Sequence, residues 1–261
     1  MAKTFNVNEL VPYKFRYVEF TDLADNTVIA RLTQLEDATL KTAAENDSVK
    51  DAMGTEIMKL YKAKTAQFTA SNSLFSTDLY AIQMGSTKET ASTDHKILVP
   101  ADETLTVAGG KATLVGTPKG DIRTVYVLRN NNIAQKLTAN ATASEGKFAI
   151  SDKQISVDTT TVPDGSKIYV EYNKEVDSNA VKVTNKANNF PKVTGFKASL
   201  FFKDPCTEEE ILGYIVSPKA KIDPSSIETA FKFDGKHPFT VDLFKSYCDE
   251  NDELFSFIIA E

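Results

Sequence analysis

Two histidines, two cysteines and two acidic runs are the side chains of this 261-residue sequence best suited to chemistry. His95 lies in a polar stretch and His237 precedes Pro238. One imidazole can act as a general base or a metal ligand, but neither has a second ligand at metal-binding spacing, and both are read as surface histidines. Cys206 and Cys248 give neither CxxC nor CxxH spacing. They are read as reduced, partly buried thiols, with a single bridge between them as the alternative. No GxSxG, HExxH or GxxxxGK[ST] pattern occurs. Gly109-Gly110-Lys111-Ala112-Thr113 has Ala112 where a phosphate loop needs a hydroxyl, lacks the first glycine of that motif, and is read as a hairpin turn. Asp204 with Glu208, Glu209 and Glu210, and Asp249 with Glu250, Asp252 and Glu253, are acidic clusters without the alternating spacing of a calcium loop. Both are read as solvated turns. Asn46-Asp47-Ser48 and Asn140-Ala141-Thr142 match the glycosylation sequon, which matters only in a secreted chain. The expectation is a protein without catalytic residues, cofactor or metal site, and not an enzyme.

The elements that would position these residues are mostly strands. Thr, Val, Phe and Tyr recur in short alternating stretches bounded by Gly, Asn, Asp and Pro. Tyr13 to Phe20 alternates aromatic and charged residues, which predicts one face of rings and another carrying Lys14 and Arg16 into water. Val28, Ala30 and Leu32 share a face of the next extended segment. Ala43 to Glu56 is polar and acidic and is read as the tip of a long hairpin, too large for a two-residue turn. Its second strand, Ile57 to Ala70, is expected to project beyond the body. One helix is predicted near residues 76–84. Ser76 is its N-cap, Asp78 suits the positive end of its dipole, Phe75, Leu79 and Ile82 form its stripe, and Gly85 ends it.

Residues 100–174 form a second β-rich section, with turns at Asn130-Asn131-Asn132 and Pro163-Asp164-Gly165. Strands are expected at 104–107, 111–115, 122–128, 147–150 and 167–172, then at 193–203, 211–216, 227–233, 239–244 and 254–259. The chain is read as a single domain with a discontinuous core, 1–99 plus 175–261. The section 100–174 is either an insertion into that core or part of the same sheets.

Composition narrows the function. Hydrophobic residues are 41% and charged residues 25%, ordinary for a globular chain. No apolar run approaches the length of a membrane helix, and the first residues carry no apolar leader, so neither membrane nor secretion is expected. A net charge of -6 argues against a surface built to grip nucleic acid.

The order of features is more telling than any motif. A β N-terminus leads to a long acidic-tipped hairpin, then to Asn72-Ser73-Leu74-Phe75-Ser76 and one helix ending at Gln83-Met84-Gly85. The C-terminal part holds Phe196-Lys197-Ala198, Ile215-Val216-Ser217-Pro218-Lys219-Ala220-Lys221-Ile222-Asp223, Phe239-Thr240-Val241-Asp242 and Leu254-Phe255-Ser256-Phe257-Ile258-Ile259. This resembles the major tail (tail tube) proteins of tailed bacteriophages, best over residues 1–99 and 190–261.

The resemblance implies a mainly β fold: a β-sandwich or small barrel with one flanking α-helix and a long projecting β-hairpin. It implies rings of six subunits stacked into a hollow tube, with the hairpin joining successive rings. By position, the inter-ring residues would be Glu45, Asn46, Asp47, Val49, Lys50, Asp51 and Met53, with Lys59, Lys62 and Lys64 on the stem. Other copies of the chain, a tape-measure protein, tail-terminator or baseplate proteins, and a sheath in a contractile tail would be its partners. DNA would pass through without specific binding, and an acidic lumen would repel its phosphates. The protein would be made in the host bacterial cytoplasm and end in the virion tail. An N-terminal arm, Met1 to Pro12, would order on stacking. Two other readings compete: a neck, capsid-decoration or secretion-tube protein, and a ligand-binding β-sandwich module, against which the absence of Trp counts mildly.

Overall fold

The computed structural model describes residues 9–122, 124–247 and 252–260. The N-terminal arm up to residue 8, Cys248, and Asp249 and Glu250 of the second acidic cluster lie outside the described residues. The chain divides into two compact units, 1–88 with 183–261 and 89–182. The first opens with β1 (Val11–Thr21), β2 (Val28–Leu32), β3 (Leu35–Lys50), β4 (Glu56–Asn72) and α1 (Thr77–Gln83). The second runs β5 (Glu89–Thr90), β6 (Ile97–Thr106), β7 (Lys111–Thr113), β8 (Thr124–Arg129), β9 (Asn132–Ala139), β10 (Lys147–Ser151), β11 (Gln154–Val157), β12 (Lys167–Val176) and β13 (Val181–Lys182). The chain then returns to the first unit with β14 (Val193–Lys203), β15 (Glu210–Ile222), β16 (His237–Leu243) and β17 (Ser256–Ala260). The fold is mainly β, with curled sheets and one α-helix among the described residues, as expected.

In the first unit the strand order is β2-β1-β14-β15-β16-β4-β3, and β17 pairs with β15. β2 and β3 stand at opposite ends of that path, yet only Thr33 and Gln34 join them, and the Ser73 N–H donates to the Gln34 carbonyl at 2.8 Å. The sheet therefore curls until its edges approach, wrapping its own concave face around the core. Phenylalanines from four strands fill that core: Phe68 lies 5.0 Å from Phe196 and 5.9 Å from Phe15, and Phe20 lies 5.8 Å from Phe196 and 6.0 Å from Phe239. Tilted and edge-on rings at these distances add to the burial of their area.

β1 departs from simple alternation. A bulge between Phe15 and Tyr17 sets Phe15 opposite Leu200 and Val18 opposite Ala198, on the core side. Tyr17 and Glu19 then fall on the other face, so the ring expected in the core is moved out of it. There Arg31 and Lys197 cover Tyr17 and pair with the buried Glu19 carboxylate at 3.3 and 2.8 Å.

The helix forms where its caps predict. The Ser76 hydroxyl accepts from the Leu79 N–H at 3.2 Å, Asp78 pairs with Lys88, and Leu79 and Ile82 are buried. Phe75, expected in the stripe, is about half exposed and stacks on His237 instead. Gly85 follows with φ +60°, and a Cβ there would lie 2.2 Å from the Phe190 carbonyl oxygen. Only glycine meets both conditions.

The second unit holds a sheet of order β6-β12-β8-β9-β10-β11-β7 around Val107, Leu114, Val125, Leu137, Phe148, Ile155, Ile168 and Val170. β8 and β9 are joined through Asn130 and Asn131, both with positive φ, as a tight hairpin requires. Gly109 and Gly110 also have positive φ and sit between strands, and the Gly110 N–H donates to Asp164 at 2.9 Å. The segment is a turn, as its sequence predicts.

Two expectations about strands are corrected. Residues 43–50 are strand, not loop, because all of them except Glu45, which sits at a bulge, pair with β4. Residues 227–233 form no strand and follow a 3-10 turn at Pro224–Ser226. β9 and β11, polar and Ala-rich or very short, were not foreseen.

Candidate assembly surface

The β3–β4 hairpin is tied down at its base and free at its end. At the base, Lys236 reaches Glu36 at 2.7 Å and Asp37 at 2.8 Å, and Ser73 also bonds Glu36. The hydrogen bonds from Lys236 and then Ser73 hold the Glu36 carboxyl below its ordinary range. Asp37, next to a bulge at Glu36–Thr39, has φ 53°. Ala66, Phe68 and Ala70 of β4 are buried in the core. From residue 64 outward, β4 is exposed throughout. The hairpin thus leaves the core at about residue 65 and extends for roughly half its length in solvent.

Its end is a five-residue turn, Asp51–Thr55, shorter than the 43–56 loop expected from sequence. Asp51 organises it: its Oδ1 accepts from the Met53 N–H at 2.9 Å and the Thr55 N–H at 2.8 Å, while its own N–H donates to the Thr55 carbonyl. Gly54 supplies φ +87°.

Register assigns the two faces of the projecting part. Asp47 is opposite Leu60 and Val49 opposite Met58; Asn46 is opposite Tyr61 and Ser48 opposite Lys59. Cross-strand partners share a face, so one face carries Val49, Met58 and Leu60 and the other Tyr61. Lys62 bridges Glu45 and Asp47 at 3.8 and 3.4 Å, and Lys59 pairs with Glu56 at 3.4 Å. Among the sequence-derived candidates, Glu45, Asp47 and Lys62 therefore come together. Asn46, Val49 and Lys50 lie along β3, Asp51 and Met53 form the turn, and Lys59 and Lys64 lie on β4. Lys64, opposite Ala44, joins none of these ion pairs.

The candidates read from sequence include Val49 and Met53 but take only the lysines from the second strand of the hairpin and leave out its apolar residues. Ile57, Met58, Leu60 and Tyr61 are exposed, Tyr61 at 70%, and Met53 at the tip is 93% exposed. The signal was in the sequence: four large apolar residues within five positions of a strand with no core beside it. Exposed apolar side chains grouped on one projection, beside the ion pairs of Lys59 and Lys62, form a surface suited to contact with another protein.

Elsewhere the chemical candidates dissolve into structure. His95 is exposed near Glu89 at 3.4 Å. His237, expected at the surface, is 1% exposed. Its Nε2–H donates to Gln83 Oε1 at 2.8 Å, its Nδ1 accepts from the Ser76 N–H at 3.4 Å, and Phe75 stacks on its ring at 5.2 Å. Burial lowers its pKa, so the neutral ring is the stable form. Cys206 is exposed in the turn between β14 and β15, where Asp204 accepts from the Cys206 N–H at 2.7 Å. Among the described residues no group of His, Cys, Asp and Glu is placed to hold a metal, and no helix is long and apolar enough to cross a membrane.

The first unit is a curled β-sheet whose longest hairpin is presented outward. The chain belongs to the YomU/Tube protein family, whose model matches residues 16–250. This agrees with the resemblance to phage tail tube proteins and makes the chain a tube-type structural protein of phage. No curated protein matches it.

Proposed function

We propose that this protein is the repeating subunit of a phage tail tube, carried in the virion tail, and that its β3–β4 hairpin joins one ring of subunits to the next. The exposed apolar end of that hairpin, Met53, Met58, Leu60 and Tyr61, supports this reading most directly. A monomer gains nothing from holding these side chains in water, whereas burying each against a neighbour is worth roughly 1.5–3 kcal/mol. The long β3 edge has the same logic, since an unpaired edge is a hazard in a monomer and a joint in an assembly. Repeated heterologous contact closes into rings or extends into filaments, and the resemblance implies six subunits per ring. Tape-measure, terminator or baseplate proteins would fix the length and ends, and DNA would pass through unheld.

Negative-stain electron microscopy of the purified protein over a range of concentration and salt tests this. Hollow tubes that disappear in Leu60→Asp and Tyr61→Asp variants of unchanged thermal stability are expected. Tubes of normal length from both variants would remove the hairpin from the joint.

A further inference from the structure

The second unit carries a feature that the tube reading does not use. On β12 the residues Lys167, Tyr169, Glu171, Asn173 and Glu175 alternate with buried ones and face outward. The register sets Tyr169 between Thr104 of β6 and Tyr126 of β8, and sets Tyr126 opposite Lys136 of β9. One row of side chains therefore crosses four strands with two partly exposed tyrosines at its centre, their rings 6.3 Å apart and tilted by 34°. In the next row Glu171 is directly opposite Asp102. Two shallow concavities of about 490 and 520 Å³ lie on this face and share Glu171, Tyr172 and Asn173. The first also takes in Lys119, Thr124 and Tyr126, the second Asp102 and Tyr169.

We propose that this face binds a neutral oligosaccharide. Sugar rings present apolar C–H faces and a periphery of hydroxyls. Tyr126 and Tyr169 offer ring surface to the first; Asp102, Glu171, Asn173 and Thr124 offer acceptors and donors to the second. Few apolar groups converge here, which disfavours an oily ligand. Asp102, Asp121, Glu171 and Glu175 stand against Lys119, Lys136 and Lys167, and Lys119 is occupied by Glu175 at 3.0 Å, so the face has no excess of positive charge to draw an anion. Polyanions such as nucleic acid would meet the Asp102–Glu171 pair, where two carboxylates stand opposite each other without a cation between them in the ladder. A ligand reaching from β6 to β8 crosses about 10 Å, which suits a chain of sugar residues better than one.

Affinity electrophoresis of the full-length protein tests the assignment, in native gels cast with soluble starch, hydroxyethyl cellulose, mannan or glycol chitin, and with heparin or duplex DNA as anionic comparators. Retardation by at least one neutral polymer is expected. Tyr169→Ala and Tyr126→Ala should weaken it at least tenfold, and Tyr169→Phe, which keeps the ring, by no more than about threefold. The thermal midpoint of each variant shows that it is folded. No retardation by any neutral polymer, retardation by heparin or DNA alone, or equal retardation of wild type and both alanine variants would each overturn the proposal. Because the readout does not depend on polymerisation, its result is separate from that of the tube reading.

Discussion

The His237 Nε2–H donates to Gln83 Oε1 at 2.8 Å, and the Gln83 amide in turn donates to the Pro238 carbonyl at 3.0 Å. These two side chains, 154 residues apart, fasten α1, the one α-helix among the described residues, to β16 with both of their polar ends satisfied. The helix is seven residues long and could not stand alone. Its position depends on this pair as much as on Leu79 and Ile82.

Stability should therefore respond to acid at this histidine. Its pKa in the fold is lowered by burial, so the unfolded chain binds the proton more readily. The contribution is full above the unfolded value of about 6.5 and is lost as pH falls from there toward the folded value. Urea unfolding at pH 7.5 and 5.5 should show a larger loss for wild type than for His237→Gln. The same loss in both would assign the acid sensitivity elsewhere.

Glu19 and Lys197 should give the opposite dependence. The hydrogen bond to Glu19 raises the pKa of Lys197 against a smaller opposing effect of burial. That contribution is present below the ordinary lysine value and is lost as pH rises through the raised one. Between pH 9.5 and 11, wild type should lose more stability than Glu19→Gln. At neutral pH the substitution should be measurably destabilising, because it leaves Arg31 and Lys197 without their shared partner.

Phe68→Ala should be among the most damaging single changes. Phe68 is fully buried and its ring meets those of Phe15, Phe196 and Phe239. A loss of about 3–5 kcal/mol in unfolding free energy is expected. A loss below about 1 kcal/mol would mean that the sheet closes over the gap.

Asp51→Ala should act locally. It removes the acceptor for the Met53 and Thr55 amides and costs about 1 kcal/mol of turn stability. Faster amide exchange should be confined to residues near the tip, with the global thermal midpoint unchanged. A fall in that midpoint would show the tip coupled to the core.

Gly116→Ala probes the second unit. A Cβ at Gly116 would lie 2.2 Å from the Tyr172 hydroxyl, which accepts from the Gly116 N–H and bonds Glu103. Burial and then the Glu103 bond push the Tyr172 hydroxyl to about 12. The variant should shift that titration toward the ordinary tyrosine value of about 10, read by absorbance. An unchanged titration would mean that the ring moves together with Glu103.

The parts of the fold legible in sequence are those where local chemistry and tertiary demand agree. β14 spans 193–203 as expected because Phe196, Ala198, Leu200 and Phe202 recur at every second position and are all buried. The helix is bounded by an N-cap and a glycine that serve those roles in the structure. Strand 43–50 was not legible, since Glu45-Asn46-Asp47-Ser48 has poor strand propensity and is held extended by pairing with β4. The burial of His237 was equally hidden, because Gln83 and Phe75 are remote in sequence. At the hairpin, charge was visible as charge, but the pairing of Lys62 with Glu45 and Asp47 needed the register.

The order β2-β1-β14-β15-β16-β4-β3 has a consequence in time. The N-terminal strands form the two flanks of the sheet, and the strands that bridge them are encoded after residue 192. A nascent chain has its flanks long before its centre; at 5–20 residues per second the interval is on the order of ten seconds or more. During it, β1 and β4 have no native neighbour between them, and the chain cannot present a finished subunit. The core of the first unit therefore closes only when these late strands arrive, and until then its phenylalanines from β1 and β4 lack the partners on β14 and β16 that cover them.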